Sequence, residues 1–284
     1  MSQYRPLCVA PIPFESLPKR ENDQEVKSFV IHYVRESFRL VRQSDSWAKG
    51  KVFTFEPKKG GKVQSKSSPS GMQGPLKRLG WHMRSSHHPK AATGLGYDEF
   101  RDGLLLNHSL QESKYIHDIK ETKKIDWIKE GVAEIWLNAY KLPIVTSDRD
   151  FLEMIITVDL PDHAQPFSED HERETVSAFE ASIEPVSEEQ GREGADRGGK
   201  LRSFLVIQFP VTHPEAAERA GYVRASYASF EAVSESLEDE GSVDWRMAVQ
   251  SNSGGRIPVM LQEMSMAGKI SVDVPFFIEW RQSK

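Results

Sequence analysis

The sequence predicts an α+β fold in which one antiparallel sheet closes around a long C-terminal helix. Three observations carry that expectation. Residues 132–140 and 151–160 read as two strands, rich in β-branched and aromatic residues, joined through a connection broken by Pro143, Thr146, Ser147 and Asp148. In the second strand Leu152, Met154, Ile156, Val158 and Leu160 share one face, while Phe151, Glu153, Ile155, Thr157 and Asp159 share the other. One wholly apolar face and one mixed face mark a sheet covered on one side, so the functional question is what the mixed face looks at. Finally, Ile257, Met260, Leu261, Met264, Ile270, Val274, Phe277 and Ile278 supply the apolar face of a terminal helix. Pro258 falls in its first turn, where proline is tolerated; Gly268 and Pro275 are expected to kink or interrupt it.

The remaining elements follow in order. Residues 1–20 are punctuated by proline and read as an irregular wrap. Asp23 is the expected N-cap of a helix reaching residue 43, with Val26, Phe29, Val30, Tyr33, Val34, Phe38 and Val41 on one side. Residues 52–55 suggest a short strand, and 56–75, loaded with Lys, Gly and Ser, a mobile loop. Residues 79–88 look like a strand with Trp81 and Met83 opposite His82 and Arg84. Two short helices over 97–106 and 107–116 lead into a strand over 119–128. Residues 161–199 are acidic and poor in apolar side chains, which predicts a disordered insertion that cannot offset its ordering entropy. Strand patterns return at 201–209, 221–233 and 243–250. This divides the chain into an extension, 1–78, carrying one amphipathic helix and the mobile loop, and a sheet-and-helix domain, 79–284.

Composition narrows the function. A chain of 284 residues with 38% hydrophobic and 28% charged residues can bury a substantial core. A net charge of -5 argues against nucleic acid as a partner, because phosphate binding needs a concentrated basic surface. The single cysteine, Cys8, rules out an internal disulfide framework and any CxxC pair. With no signal-peptide core and no apolar run of membrane-spanning length, a cytoplasmic location is expected, and Asn107-His108-Ser109 reads as a chance glycosylation sequon.

Compact catalytic motifs are missing. Gly60-Gly61-Lys62 lacks the spacing of a phosphate loop and the following Ser or Thr, and Gly94-Leu95-Gly96 lacks a third glycine. There is no GxSxG elbow and no HExxH. His82, His87 and His88 lack a Cys or acidic residue at ligand spacing, so no metal and no cofactor are expected.

Several blocks resemble a known superfamily. Ser147-Asp148-Arg149-Asp150-Phe151 resembles the "RDF" strand start of START domains, the lipid-transfer superfamily related to steroidogenic acute regulatory protein. Gly221-Tyr222-Val223-Arg224-Ala225 resembles its "G-x-V-R-A" strand, Trp245 sits in a matching strand, and Gly254-Gly255-x-Ile257-Pro258 resembles its lead-in to the last helix. WHMRSS from Trp81, NHSLQESKYI from Asn107 and DVPFFIEW from Asp273 are similar to an uncharacterised fungal family of START-like proteins, a domain of unknown function. The resemblance runs from Trp81 to Trp280, apart from the acidic insertion. It implies a helix-grip fold with an internal hydrophobic cavity that binds, and in a carrier transfers, one lipid or other apolar molecule. Sterol-binding relatives carry a second arginine six positions after the RDF arginine; here that position is Ile155, which removes a polar anchor for a sterol hydroxyl.

The expected ligand-binding residues are Glu134, Trp136, Tyr140, Arg149, Glu153, Ile155, Arg224, Tyr227, Trp245, Met260 and Met264, with Arg149 paired to a carboxylate such as Asp150. The methionines are included because thioethers adapt to irregular ligands. The rival expectation is a cavity enzyme of the cyclase, aromatase or dehydratase type acting on a polyketide-like substrate. Tyr140, His117, Glu153 and Tyr227 would then be its acid–base groups. A non-catalytic regulatory or scaffold role is the third reading. A monomer making transient membrane contact completes the expectation.

Overall fold

The computed structural model describes residues 4–69, 79–141, 147–187 and 197–284. Its nine strands form one sheet, in the order β1-β2-β3-β9-β8-β7-β6-β5-β4. They are β1 (Ala48–Thr54), β2 (Lys62–Ser67), β3 (His82–His88), β4 (Ile119–Lys129), β5 (Ala133–Tyr140), β6 (Asp148–His163), β7 (Leu201–Pro210), β8 (Tyr222–Glu235) and β9 (Val243–Asn252). Neighbours run antiparallel, except that residues 148–151 of β6 also pair in parallel with β8 where β7 has ended. The helices are α1 (Asp23–Ser44), α2 (Lys90–Thr93), α3 (Tyr97–Phe100), α4 (His108–Tyr115), α5 (Glu169–Ala181) and α6 (Val259–Gln282), with a wide helical turn at Arg101–Leu105.

The two faces of the sheet do different work. The apolar side of β6 (Leu152, Met154, Ile156, Val158, Leu160) joins Leu205, Ile207, Phe209 and Phe230 against Phe29, Val30, Tyr33, Val34, Phe38 and Val41 of α1. Tyr33 stacks on Phe209 with centroids 4.0 Å apart. Each such side chain contributes about 1.5–3 kcal/mol on leaving water, which is why α1 is a structural helix of this domain. The opposite, inner face meets α6, whose Val274, Phe277 and Ile278 pack with Phe100, Leu104, Phe204, Val206 and Trp245. Two glycines allow that close fit. A Cβ on Gly103 would lie 2.5 Å from Phe277, and one on Gly60, whose φ is +110°, would lie 2.6 Å from Val274.

Several expectations change. The N-cap of α1 is Asn22, whose side chain accepts from the Glu25 amide, one residue before Asp23. Strand β2 occupies part of the stretch read as a mobile loop, and the sheet therefore runs across residue 78. Its hydrogen bonds to β1 and β3 hold it although Val63 is its one buried aliphatic side chain. The acidic insertion contains α5. Ser168 caps it, Glu169, Asp170 and Glu172 favour its N-terminus, and His171, Thr175, Val176 and Phe179 are buried. Residues 188–196 of that insertion, and Pro143 and Thr146 of the β5–β6 connection, lie outside the described residues. Helix α6 runs through Gly268 and Pro275 without interruption.

Candidate functional site on the inner face of the sheet

Strand alternation decides which side chains face α6. From β5 these are Glu134, Trp136, Asn138 and Tyr140; from β6, Phe151, Glu153, Ile155 and Thr157; from β8, Tyr227, Ser229 and Glu231; and from β9, Trp245, Met247 and Val249. The mixed face of β6 thus looks inward, beneath the terminal helix. Tyr140, Phe151 and Tyr227 form an aromatic row with successive centroids 5.2 Å apart. Phe151 and Met247 then pack with Tyr227, Val249, Met266 and Ile270.

This interior is unusually polar. Arg84 of β3 is 1% exposed, its guanidinium stacks on the Trp245 ring at 3.8 Å, and Glu231 stands 4.0 Å away while accepting from Trp245 Nε1 at 2.6 Å. Ser229 donates to Gln208 Oε1, Gln208 Nε2 lies 3.0 Å from His108 Nε2, and His108 Nδ1 donates to the Leu104 carbonyl. Arg84 Nε and Nη1 have no hydrogen-bond partner among the described residues, and other buried groups stand in the same condition. The Tyr227 hydroxyl, the Asn138 amide and Glu112 Oε2 are buried without a hydrogen-bond partner among the described residues, and the Glu153 oxygens have no partner of good geometry, with only the Tyr227 backbone amide acting on them. Such groups are destabilising unless something pairs with them.

Electrostatics reflect that isolation. Burial pushes the Glu153 carboxyl well above the usual carboxylate range, with Glu112 adding to the effect; the Tyr227 backbone amide and Arg224 oppose it only in part. Burial likewise raises Glu112, against the pull of His108. Asp273 of α6 is raised to about 8, first by burial and then by Glu112 and Glu231, with Arg84 opposing. Tyr140 is also raised, by burial and by the neighbouring Glu112, Asp273 and Glu153. Glu112, Tyr140, Phe151, Met247 and Asp273 are nevertheless only half-buried.

A cavity of about 100 Å³ opens next to this set, between α4 and strands β5 and β6, with Glu134, Trp136, Ile155, Thr157 and His108 in its wall. A broader cleft of about 440 Å³ lies at the far end of β6 and β7, against α5. Its arginines are engaged, Arg101 with Asp159 and Arg202 with Glu235 and Asp98.

Seven of the sequence-predicted residues converge on the inner face: Glu134, Trp136, Tyr140, Glu153, Ile155, Tyr227 and Trp245. Glu134 is saturated there by Lys124, the Gly131 amide and Trp136 Nε1. Arg149 is held at the rim, donating to the Ser253 and Ser147 carbonyls; the partner of Asp150 is not Arg149 but Arg224, at 2.9 Å, on the outer face. Strand parity explains the difference, since residues 149 and 150 point to opposite sides. Met260 and Met264 are 71% and 72% exposed, because α6 turns Gln262, Met266 and Ile270 inward instead. Of the histidines, His82 meets Glu263, His87 meets Asp244 and His88 meets Ser86. The residues that sequence reasoning missed are Arg84, Glu112, Asn138, Gln208, Glu231 and Asp273.

Residues 81–281 match the profile of a family described as "Protein of unknown function (DUF3074)". The uncharacterized protein C577.11 of Schizosaccharomyces pombe is 23% identical over 205 residues, covering 70% of this chain and 67% of its own. Among solved structures, human StAR-related lipid transfer protein 5 superposes with a TM-score of 0.61 at 11% identity, covering 92% of this chain and 98% of that one. Human STARD10 gives 0.55 at 13% identity, with 87% and 82% covered. A STAR-related lipid transfer protein fragment from Xanthomonas axonopodis gives 0.52 at 12%, with 84% and 99% covered. At such identities the likeness establishes the fold, a curved antiparallel sheet gripping its C-terminal helix.

Proposed function

The chain belongs to the family described as a protein of unknown function (DUF3074), and from that premise we propose that it binds one lipid or comparable apolar molecule between the sheet and α6. The observation that carries this reading is the set of buried, unsatisfied polar groups on the inner face, Glu153, Asn138 and Tyr227, beside an aromatic and thioether wall. Their desolvation is relieved when a guest supplies hydrogen bonds, while the wall of Phe151, Met247, Val249, Met266 and Ile270 suits its apolar part. Two of the three human and bacterial neighbours carry lipid transfer in their names, and the same use is proposed here for this chain.

The guest requires the site to open. The cavity beside it, about 100 Å³, is well below the roughly 300–1,000 Å³ of small-molecule sites. The C-terminal half of α6 is seated by Phe277 against Gly103 and Val274 against Gly60. The N-terminal half rests on polar ties: Glu263 to His82 and the Gly80 amide, and Gln262 to Ser251 and Ser253. That half is the one to move, admitting a guest from the side where Met260, Leu261 and Met264 are exposed.

The test is uptake of a fluorescent lipid from vesicles by the full chain and by Ile155→Trp, which fills the cavity. Uptake by the parent and its loss in a variant that still folds support the reading. Equal uptake by the filled variant, or none by the parent, refutes it. Turnover of a polyketide-like compound, lost on Glu153→Gln while binding survives, would favour the cavity-enzyme reading; the buried acids Glu153 and Asp273 are what keep that second reading in play.

A further inference from the structure

Charge under α6 is one-sided. Four carboxylates face the interior: Glu112 on α4, Glu153 on β6, Glu231 on β8 and Asp273 on α6. Of the cations, Arg84 stacks on the Trp245 ring with Glu231 4.0 Å away, and its Nε and Nη1 have no hydrogen-bond partner among the described residues. Arg224 acts on Glu153 only from the outer face, where Asp150 holds it. His108 Nε2 lies 3.9 Å from Glu112 Oε2. The other groups facing this space are the phenols of Tyr115, Tyr140 and Tyr227, which carry no positive charge, and Asp118 near the α4–β4 turn, which adds to the negative field. Glu153 and Asp273 are thus left without a salt-bridge cation among the described residues, and both, like Glu112, act on Tyr140.

A second observation is independent of the acids. Asn138 is fully buried and Tyr227 92% buried, and neither the Asn138 carboxamide, oxygen and nitrogen alike, nor the Tyr227 hydroxyl has a partner among the described residues, so further unfilled polar groups, acceptors and donors both, stand on the same wall. Acids that outnumber the cations facing them favour a positively charged guest.

We propose that the bound molecule is an amphiphile headed by a protonated amine, its ammonium lodged among Glu112, Tyr140, Glu153 and Asp273 and its chain along Phe151, Met247, Val249, Met266 and Ile270. The inference rests on the binding function proposed above and adds the class of head group. An ammonium offers three donors and one charge, which matches a site rich in acceptors and short of cations. With the site empty, burial favours the neutral form of Glu153 and Asp273; an incoming ammonium stabilises the ionised form and makes the pair. A carboxylate or phosphate head brings no counter-charge to those acids.

The experiment measures binding of dodecylamine, dodecan-1-ol and dodecanoic acid to the full chain by displacement of an apolar fluorophore at neutral pH. The amine should bind at least about tenfold more tightly than the alcohol, and the acid most weakly. In Glu153→Gln the preference for amine over alcohol should shrink to within about threefold. Glu112→Gln should behave the same way and decides the matter if Glu153→Gln does not fold. Alcohol or acid binding as tightly as amine, or a preference unchanged in the folded variant, overturns the head-group assignment and leaves the binding function standing. Failure of all three probes, together with failure of lipid uptake, removes both.

Discussion

Replacing Asp273 by Asn tests whether the inner face of α6 covers a secluded polar space. The carboxyl is raised from 3.8 to about 8, first by burial and then by Glu112 and Glu231. A carboxyl raised on folding binds its proton more tightly in the native state, so its contribution is fully present below the unfolded value and is lost as pH rises toward the folded one. Stability should therefore fall between about pH 4 and pH 8. At about 1.4 kcal/mol per pH unit, the fall from pH 4 to pH 7 has an upper bound of about 4 kcal/mol. Asp273 keeps some accessible surface, and water there screens the charge, which brings the expected effect to about 2 kcal/mol. Asparagine does not titrate. Urea unfolding of parent and Asp273→Asn at pH 4.5, 6 and 7.5 should show the variant gaining on the parent by about that amount across the series. Glu112 and Glu153 have raised carboxyls too, so the variant keeps a residual slope of the same sign. Parallel curves for the two proteins would refute the claim that Asp273 faces a desolvated interior.

Two more substitutions probe the frame. Gly103→Ala places a methyl 2.5 Å from Phe277 and 3.0 Å from Arg281, against well-packed neighbours; it should destabilise by about 1–3 kcal/mol, seen as a lower urea midpoint at unchanged m. Ser168→Ala removes the side chain that accepts from the His171 amide at 3.2 Å and should cost about 1 kcal/mol, with faster hydrogen exchange in the first turn of α5.

The frame was legible where a period was clean. The alternation of β6 announced both its faces, and the α1 residues predicted as apolar are all buried. Helix α5 was hidden because its exposed acids dominate the composition of the segment, while its buried stripe includes His171 and Thr175, which do not read as core. Strand β2 (KVQSKS) was hidden because backbone pairing on both sides holds it, and pairing leaves little mark on side-chain pattern. The facing of α6 was misread because apolar residues ring its N-terminal half, so Met260 and Met264 look as core-like as Met266. The site was half visible. Residues on β5 and β6 could be grouped by parity, whereas Arg84, Glu112, Glu231 and Asp273 arrive from four distant elements, and no spacing in the chain relates them.

The central claim is that a guest occupies the space between the inner face of the sheet and α6. Native mass spectrometry of the gently purified full chain, followed by solvent extraction, tests it most directly. A bound species of one-to-one stoichiometry is expected, leaving on extraction and proving to be an amphiphile. A bare polypeptide mass that gains nothing after incubation with lipid vesicles or long-chain amines would contradict it.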